Sequence, residues 1–204
     1  MPFPSPPWSL RADAWASVFV LARPPSGRPD CPAGAYVAAF VDYREGGVLQ
    51  YHELLVARLL RDGPFPRIRI VDIWVDSPES LAGGRSLWAI PKEIAHLALE
   101  ERRVGPVRIA SVRAGLDSTG DRLAVAQGAF TTTPRAALAR LPFRASTSQV
   151  REDGSTVVTS LSGSGRAVPC RARWTFDPDG PLGYLSGRRP LVSAFLRDVR
   201  LRFG

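Results

Sequence analysis

Lysine is nearly absent from this chain of 204 residues. Lys92 is the only lysine among 27 Lys and Arg side chains, so arginine supplies almost all of the positive charge. Arginine keeps its proton, whereas lysine can lose it and attack a carbonyl carbon as a free amine. A chain that uses arginine wherever only charge is needed is expected to keep lysine where an amine is needed. Lys92 is therefore a candidate nucleophile, against the alternative that one lysine survived by chance.

Cysteine and histidine are also scarce, with two of each. Cys31 and Cys170 lie far apart in the sequence, and neither has a Cys or His at the spacing of a metal-binding motif. The sequence therefore predicts neither a disulfide framework nor a zinc site. His52 and His96 are too few for a multi-histidine metal centre, and His52 is of interest mainly as the neighbour of Glu53.

Long apolar runs and nucleotide-binding motifs are absent as well. No segment approaches the roughly 20 apolar residues that cross a bilayer, and the proline-rich start lacks a small-residue cleavage site. We therefore expect a cytoplasmic protein that does not bind membranes. The sequence has no Gly-rich phosphate loop, no Gly-x-Ser-x-Gly elbow and no dinucleotide fingerprint, which argues against the corresponding enzyme classes.

The chain is strongly basic, with a formal net charge of +8 and a pI near 10.6. A basic face is typical of nucleic-acid binding. Here the arginines are scattered singly along apolar segments, as in Arg67-Ile68-Arg69 and Arg200-Leu201-Arg202, and no binding motif accompanies them. We expect a solvated basic surface that attracts anionic substrates rather than nucleic acid.

The pattern of apolar residues predicts an α+β fold that is mainly β. Residues 1–9 carry four prolines and are expected to form an extended arm before a single domain over residues 10–204. Many strands at short spacing predict a mainly antiparallel, barrel-like sheet with few short helices. A hairpin is predicted at residues 44–47, a loop at 146–155, and helices at 134–141 and from Lys92 to Ala98. The predicted strands are 14–22, 35–43, 48–60, 67–76, 106–115, 122–132, 155–163, 166–176 and 191–203.

Two short sequence segments contain the candidate catalytic residues. Lys92 follows Trp88, Ile90 and Pro91, and removal of water by such apolar neighbours favours the neutral form of an amine. Upstream, strand alternation places Tyr51 and Glu53 on one face and His52 on the other. If that face is the barrel interior, Glu53 can meet a substrate; the alternative is an outward-facing charge.

These residues carry a resemblance to the acetoacetate decarboxylase family. That family has a Gly-Arg-Glu-x-x-x-x-Pro-Lys motif whose lysine forms a Schiff base with a keto acid. This chain runs without a gap from Gly84-Arg85-Ser86 to Pro91-Lys92, after a segment ending in Val75-Asp76. Tyr51-His52-Glu53 matches the family's Tyr-x-Glu element. The resemblance implies the same barrel-like fold, a keto acid substrate and a lysine that reacts without a metal or organic cofactor.

Three positions depart from the family pattern. Glu93 stands where decarboxylating members have a second lysine, and Ser86 replaces the glutamate of Gly-Arg-Glu. A gapless alignment puts Ala38 where those members have a second acidic residue. If residues 92 and 93 are extended, their side chains point to opposite faces, so Glu93 need not touch the amine. The departures weaken acetoacetate itself as the substrate and leave Lys92 and Glu53 in place.

The resemblance also suggests which residues contact a substrate. Tyr51 and Trp88 flank Glu53 and Lys92 in the two motifs and are predicted substrate contacts. The family's carboxylate-binding arginine is expected near the amino-terminal strand, where Arg11 lies. Arg85 is a further candidate, although a role in holding the motif turn is favoured over substrate binding.

The sequence leaves three functions open. The first is a lyase that decarboxylates a short β-keto acid through an iminium on Lys92, with Glu53 orienting substrate or moving protons. The second is an aldolase or dehydratase that uses the same lysine on pyruvate or a related keto acid. The third is a non-catalytic barrel that binds a small ligand. A homo-oligomer is expected, because the family tends to assemble and exposed strand edges need covering.

Overall fold

The computed structural model describes residues 3–60, 65–116, 124–132 and 139–204. Strands dominate these residues, and none of the described helices has the length and apolar character needed to span a membrane. The elements are β1 (Trp8–Leu21), β2 (Gly34–Arg44), β3 (Tyr51–Leu60), β4 (Arg67–Val75), α1 (Pro78–Trp88), β5 (Lys92–Ile94), β6 (His96–Val104), β7 (Val107–Gly115), β8 (Ala124–Thr132), β9 (Leu141–Val150), β10 (Thr156–Pro169), β11 (Arg171–Phe176), a 3₁₀ turn (Gly183–Leu185) and β12 (Val192–Phe203).

Seven strands close into a barrel. The large sheet has the order β3-β2-β1-β12-β10-β9-β4-β5, and β3 also pairs with β4, which closes the ring. Most pairings are antiparallel, but β4 runs parallel to both β9 and β5. The predicted mainly β, barrel-like fold is confirmed, with a mixed rather than a purely antiparallel sheet.

A second sheet of four strands, in the order β11-β8-β7-β6, packs on the outside of the barrel. A cluster of aromatic side chains lies between the two sheets. Trp15 of β1 stacks on Phe195 at a ring distance of 5.1 Å, and Phe130 meets Trp174 edge-on at 5.1 Å. The other face of the same barrel strands looks into the barrel and carries small residues, such as Ala12 and Ala39, beside large ones, such as Trp8 and Phe203.

The helix α1 packs into the barrel interior. Its first turn is capped by Ser77, whose Oγ accepts a hydrogen bond from the Ser80 N–H at 3.1 Å, and Pro78 occupies a first-turn position where no donor is needed. At the other end, Trp88 packs edge-on against Trp8 of β1 and Phe203 of β12, with ring distances of 4.7 and 4.5 Å. The helix is thereby fixed against two neighbouring barrel strands.

The structure corrects several sequence-based expectations. The helix predicted from Lys92 to Ala98 is wrong, because residues 92–94 form β5 beside β4 and residues 96–104 form β6 in a hairpin with β7. The loop predicted at 146–155 is wrong for its first five residues, which belong to β9. The helix of residues 78–88 was not predicted at all.

Other predictions are confirmed, and some concern residues that lie outside the described part of the chain. The hairpin is confirmed, since β2 ends at Arg44 and pairs antiparallel with β3. β1 begins at Trp8, so the strand takes in the last two residues of the predicted arm. Most of the predicted helix 134–141 lies outside the described residues, and Leu141 begins β9. Residues 122 and 123 of a predicted strand also lie outside them.

Candidate active site

Lys92 points into the barrel from the short strand β5. This strand pairs in parallel with β4, where Ile73 lies opposite Lys92. Along β5 the side chain of Lys92 is buried, while those of Glu93 and Ile94 are exposed. The expectation that Glu93 faces away from the amine is confirmed, and the cause is the alternation of an extended chain.

The amine of Lys92 is held by three side chains. Its Nζ donates to Glu53 Oε2 and to Ser80 Oγ, each at 2.8 Å, and makes a longer contact of 3.4 Å to the Tyr51 hydroxyl. The side chains of Lys92 and Glu53 are only 4% and 5% exposed. A buried ion pair offsets its desolvation cost only when hydrogen bonds satisfy the remaining atoms, and Ser80 and Tyr51 supply them.

Two tyrosines hold the carboxylate of Glu53. The Tyr43 hydroxyl donates to Oε1 at 3.2 Å, and the Tyr51 hydroxyl lies 3.4 Å from Oε2. The rings are cross-strand partners on β2 and β3 and stack at 4.4 Å. Burial, and next the charge of Glu53, raises the pKa of both phenols well above the usual value of 10. Both hydroxyls therefore stay protonated and act as donors.

Gly84 of α1 makes room for the lysine side chain. A Cβ on Gly84 would lie 2.7 Å from Lys92 Cδ and 2.8 Å from Cε, closer than van der Waals contact allows. The absence of a side chain at residue 84 lets the aliphatic stem of Lys92 pass directly over the helix. The same helix carries Ser80, which binds the amine, so α1 determines both the course of the Lys92 side chain and the position of its Nζ.

These groups open onto a cavity of about 110 Å³ inside the barrel. Lys92 and Glu53 are at its polar end, together with Tyr43 and Tyr51. Apart from Thr147, the rest of the wall is aliphatic or tryptophan and phenylalanine. These residues are Trp8, Leu10, Leu55, Ile68, Ile70, Ile73, Trp88, Ile90, Leu161, Leu201 and Phe203.

A comparison with family models decides the classification. Residues 29–175 match the model of the family described as acetoacetate decarboxylase. This stretch covers well over half of the chain and contains Glu53, Ser80 and Lys92. The chain belongs to the acetoacetate decarboxylase family. Comparison with curated protein sequences gives no match.

Solved structures of acetoacetate decarboxylase-like proteins share the fold. The enduracididine biosynthesis enzyme MppR complexed with pyruvate aligns with a TM-score of 0.68 at 15% identity, over 98% of this chain and 89% of that chain. Acetoacetate decarboxylase from Legionella pneumophila aligns with a TM-score of 0.64 at 14% identity, over 98% and 86%. An acetoacetate decarboxylase-like enzyme from Sphingomonas wittichii aligns with a TM-score of 0.61 at 10% identity, over 96% and 90%. At such identities the likeness concerns the fold.

Of the residues predicted for an acetoacetate decarboxylase-like site, four line the cavity: Lys92, Glu53, Tyr51 and Trp88. Arg85 lies outside it. Its Nε donates to the backbone carbonyl of Lys92 at 2.7 Å, which fixes the strand that carries the lysine. The favoured role for Arg85, holding the motif turn, agrees with this contact.

Arg11 does not reach the cavity. Its neighbour Leu10 faces inward and lines the wall, so Arg11 is on the exposed outer face of β1. There its side chain runs beside Gly46 in the hairpin between β2 and β3. His52 likewise points away from Glu53, and its Nδ1 is 2.9 Å from Asp76 Oδ2.

The departures from the family motif lie away from the amine. Ala38 is buried in the core between the two sheets rather than in the barrel. The cross-strand partner of Glu53 is Val41, and among the described residues Glu53 is the only carboxylate that lines the cavity. Ser86 and Glu93 are both exposed.

Sequence reasoning missed Ser80 and Tyr43. The signal for Ser80 is the run Ser77-Pro78-Glu79, which combines an N-cap, a first-turn proline and an acidic first turn and so predicts a helix start. Once the helix is placed, Ser80 falls on its first turn. Tyr43 could have been found from hairpin register, since it lies opposite Tyr51.

Within the described residues no group of three or more His, Cys, Asp or Glu side chains is arranged to hold a metal ion. The chemistry that this geometry offers is that of an amine, a carboxylate, a serine hydroxyl and two phenols. Such a set can add an amine to a carbonyl group and move protons during the addition.

Proposed function

We propose that this protein is a lyase in which Lys92 forms a Schiff base with the ketone of a β-keto acid, which then loses carbon dioxide. The observation that carries the proposal is the buried amine of the chain's only lysine, 2.8 Å from Glu53 and facing a cavity. Membership of the acetoacetate decarboxylase family supports it.

The first stage makes the iminium ion. Glu53 accepts a proton from the ammonium of Lys92, and the neutral amine adds to the ketone carbon. A proton then moves from nitrogen to oxygen, which gives a neutral carbinolamine. The protonated Glu53 gives its proton to the hydroxyl group, which leaves as water. Tyr43 and Tyr51 keep the carboxylate in place through their hydroxyl groups.

The second stage breaks the carbon–carbon bond. The electron pair of the bond to the carboxylate flows into the iminium, carbon dioxide departs, and a neutral enamine remains. Glu53 takes up one proton from solvent and gives it to the enamine carbon, which restores the iminium; this proton is the one that the net loss of carbon dioxide from a keto acid anion consumes. Water then reverses the first stage, releases the ketone and restores the ammonium–carboxylate pair. No external oxidant or reductant enters the balance.

A second candidate uses the same lysine on pyruvate. Loss of a methyl proton from its iminium to Glu53 would give an enamine that adds to an aldehyde. The structural likeness to MppR favours this candidate, since MppR has been described in complex with pyruvate and with the condensation product of pyruvate and imidazole 4-carboxaldehyde. Exposed Glu93 and Ser86, where decarboxylating members have other residues, also fit a diverged reaction. A non-catalytic binding barrel is the third candidate.

Reductive trapping tests the proposal. The protein is treated with borohydride in the presence of acetoacetate, pyruvate and longer keto acids, and adducts are located by intact mass and peptide mapping. Because Lys92 is the only lysine, the amino terminus is the only other amine to exclude. A reduced adduct on Lys92 is expected, and Lys92→Arg, which keeps the charge, should abolish it together with turnover. Adduct-free protein with every ketone would favour the binding barrel.

Product analysis separates the two reactions. Carbon dioxide release from β-keto acids without an aldehyde is expected for the decarboxylase. Aldehyde-dependent consumption of pyruvate without carbon dioxide would instead establish the aldolase or dehydratase. Near-normal turnover by Lys92→Arg would contradict both.

A further inference from the structure

The wall of the cavity is almost free of charge. Among its lining residues Lys92 is the only base and Glu53 the only acid, within the part of the chain that the structure describes. These two charges already balance each other at 2.8 Å. A short keto acid would therefore bring its carboxylate against apolar side chains. Arg11, which the family resemblance suggests as the carboxylate-binding residue, points outward.

The apolar wall has an outer part that the protein leaves partly uncovered. Leu55, Ile68, Leu161 and Leu201 line the cavity and are only half-buried, whereas the residues around the amine are buried. They come from four strands, β3, β4, β10 and β12, so they surround the cavity rather than form one patch. Leu55 is two residues beyond Glu53 on the same face of β3, which places this wall next to the reacting centre.

Burial of these side chains is a source of binding energy for an apolar ligand. Each methylene that enters such a wall improves binding about fourfold. Acetoacetate and pyruvate have a single methyl group beyond the reacting carbonyl and could use little of it. The carboxylate of a β-keto acid needs no lasting partner, because its charge meets the iminium and disappears as carbon dioxide leaves.

We propose that the cavity selects β-keto acids whose ketone bears a medium-length alkyl or aryl substituent, over acetoacetate and pyruvate. The substituent lies against Leu55, Ile68, Leu161 and Leu201, and the ketone carbon meets Lys92. This inference rests on the proposed Schiff-base function. It adds the substrate class, which neither the family match nor the fold specifies.

A homologous substrate series tests the selection on the unmodified protein. Acetoacetate, 3-oxohexanoate, 3-oxooctanoate and benzoylacetate are compared by the rate of reduced-adduct formation on Lys92 at equal, sub-saturating concentration. The rate is expected to rise at least tenfold from acetoacetate to 3-oxooctanoate. Equal rates, or a preference for acetoacetate, would overturn the inference while leaving the Schiff-base function intact. Absence of any adduct would overturn that function and the inference with it.

A pair of charge insertions adds a second, independent readout. Leu161→Arg places a guanidinium group in the apolar wall and is expected to reduce the preference for 3-oxooctanoate at least tenfold. Leu191→Arg adds the same charge at a residue outside the cavity that is 73% exposed, and should leave the preference unchanged. Equal preferences in the two variants, both verified as folded by circular dichroism, would contradict the placement of the substituent.

Discussion

Glu53 is the residue on which both the burial and the proposed chemistry of Lys92 depend. Its carboxylate compensates the buried ammonium and is the proton acceptor closest to it. Glu53→Gln keeps the shape but cannot take the proton, so we expect turnover to fall by about 10² to 10⁴. Loss of one partner of a buried pair should also lower the free energy of unfolding by about 3 to 5 kcal/mol.

Steady-state assays and urea denaturation measure the two effects of Glu53→Gln separately. Glu93→Gln is the matched control, because Glu93 directly follows the lysine but is exposed on the opposite face of β5. The control should behave as wild type in both assays. Equal activity losses in the two variants would show that Glu53 is not the proton carrier.

Ser80 is the second close partner of the amine, and it was not predicted from the sequence. A hydrogen bond from a charged donor contributes about 1.5 kcal/mol or more, so Ser80→Ala should slow imine formation at least about tenfold by letting the amine leave its position. Ser86→Ala, on the exposed side of the same helix, is expected to have no effect. The measurement is the rate of borohydride-trapped adduct. An unchanged rate in Ser80→Ala would mean that Ser80 does not position the amine.

At the scale of elements, α1 carries adjacent glycines with different neighbours. A Cβ at Gly84 would press on the flexible stem of Lys92, whereas a Cβ at Gly83 would lie 2.5 Å from the Trp8 ring. Alanine raises helix propensity by about 1 kcal/mol at either position. Gly84→Ala should therefore retain stability but lose most of the trapping rate, and Gly83→Ala should lower the melting temperature. Thermal denaturation and the rate of adduct formation are measured for both variants. A lower melting temperature in Gly84→Ala, or a lost trapping rate in a stable Gly83→Ala, would contradict this packing.

The elements also show which features a sequence can reveal. Strands β2 to β4 follow alternating or β-branched runs and were predicted within a few residues, whereas β1 begins at Trp8, well before the predicted start at residue 14. β9 was missed because its buried residues Thr147, Ser148 and Gln149 are polar. α1 was missed because Gly83 and Gly84 lower helix propensity, and tertiary packing explains them: Gly83 lies against the Trp8 ring and Gly84 against the stem of Lys92. Lys92 and Glu53 could be predicted from local sequence motifs. Prediction of Tyr43 requires the register between β2 and β3, and prediction of Ser80 requires the position of α1.

The turn after β4 is tied to β3 through His52 and gives stability a pH dependence. The hydrogen bond from His52 to Asp76 raises the pKa of this histidine above its usual 6.5. The folded state therefore binds the proton more tightly. The resulting stabilisation is complete below pH 6.5 and is lost as the pH rises through the folded-state pKa.

His52→Gln should remove that pH dependence. Between about pH 6 and pH 8.5 the free energy of unfolding of the wild type should fall, and His52→Gln should flatten this decline. His96→Gln, at an exposed position, should retain it. Urea denaturation at the two pH values measures the effect. A decline that persists in His52→Gln would place its origin in another group.

At the scale of the whole molecule, the barrel closes through a narrow seam between β4 and β9. Only two residue pairs are in parallel register there, Arg67 with Ser146 and Ile68 with Thr147. Ile68 and Thr147 also line the cavity, so the seam forms part of the site. Beyond these two pairs, hydrogen bonds from a side chain of β9 replace backbone hydrogen bonds between the two strands. With its amide oriented so that the oxygen faces the Ile70 N–H, the buried Gln149 accepts from that N–H at 2.9 Å and donates to the Ile70 carbonyl at 3.3 Å.

Gln149 should therefore matter more to the barrel than a polar side chain usually does. Gln149→Ala leaves the N–H and carbonyl of Ile70 without these partners, and each unsatisfied buried group costs about 1 to 3 kcal/mol. We expect a loss of stability of that size in urea denaturation. We also expect faster amide hydrogen exchange along β4 and β9 than along β1 and β2, since the seam opens first. Gln127→Ala, at an exposed position on β8, is the control. Equal stability of the two variants would mean that the Gln149 amide does not hold the seam.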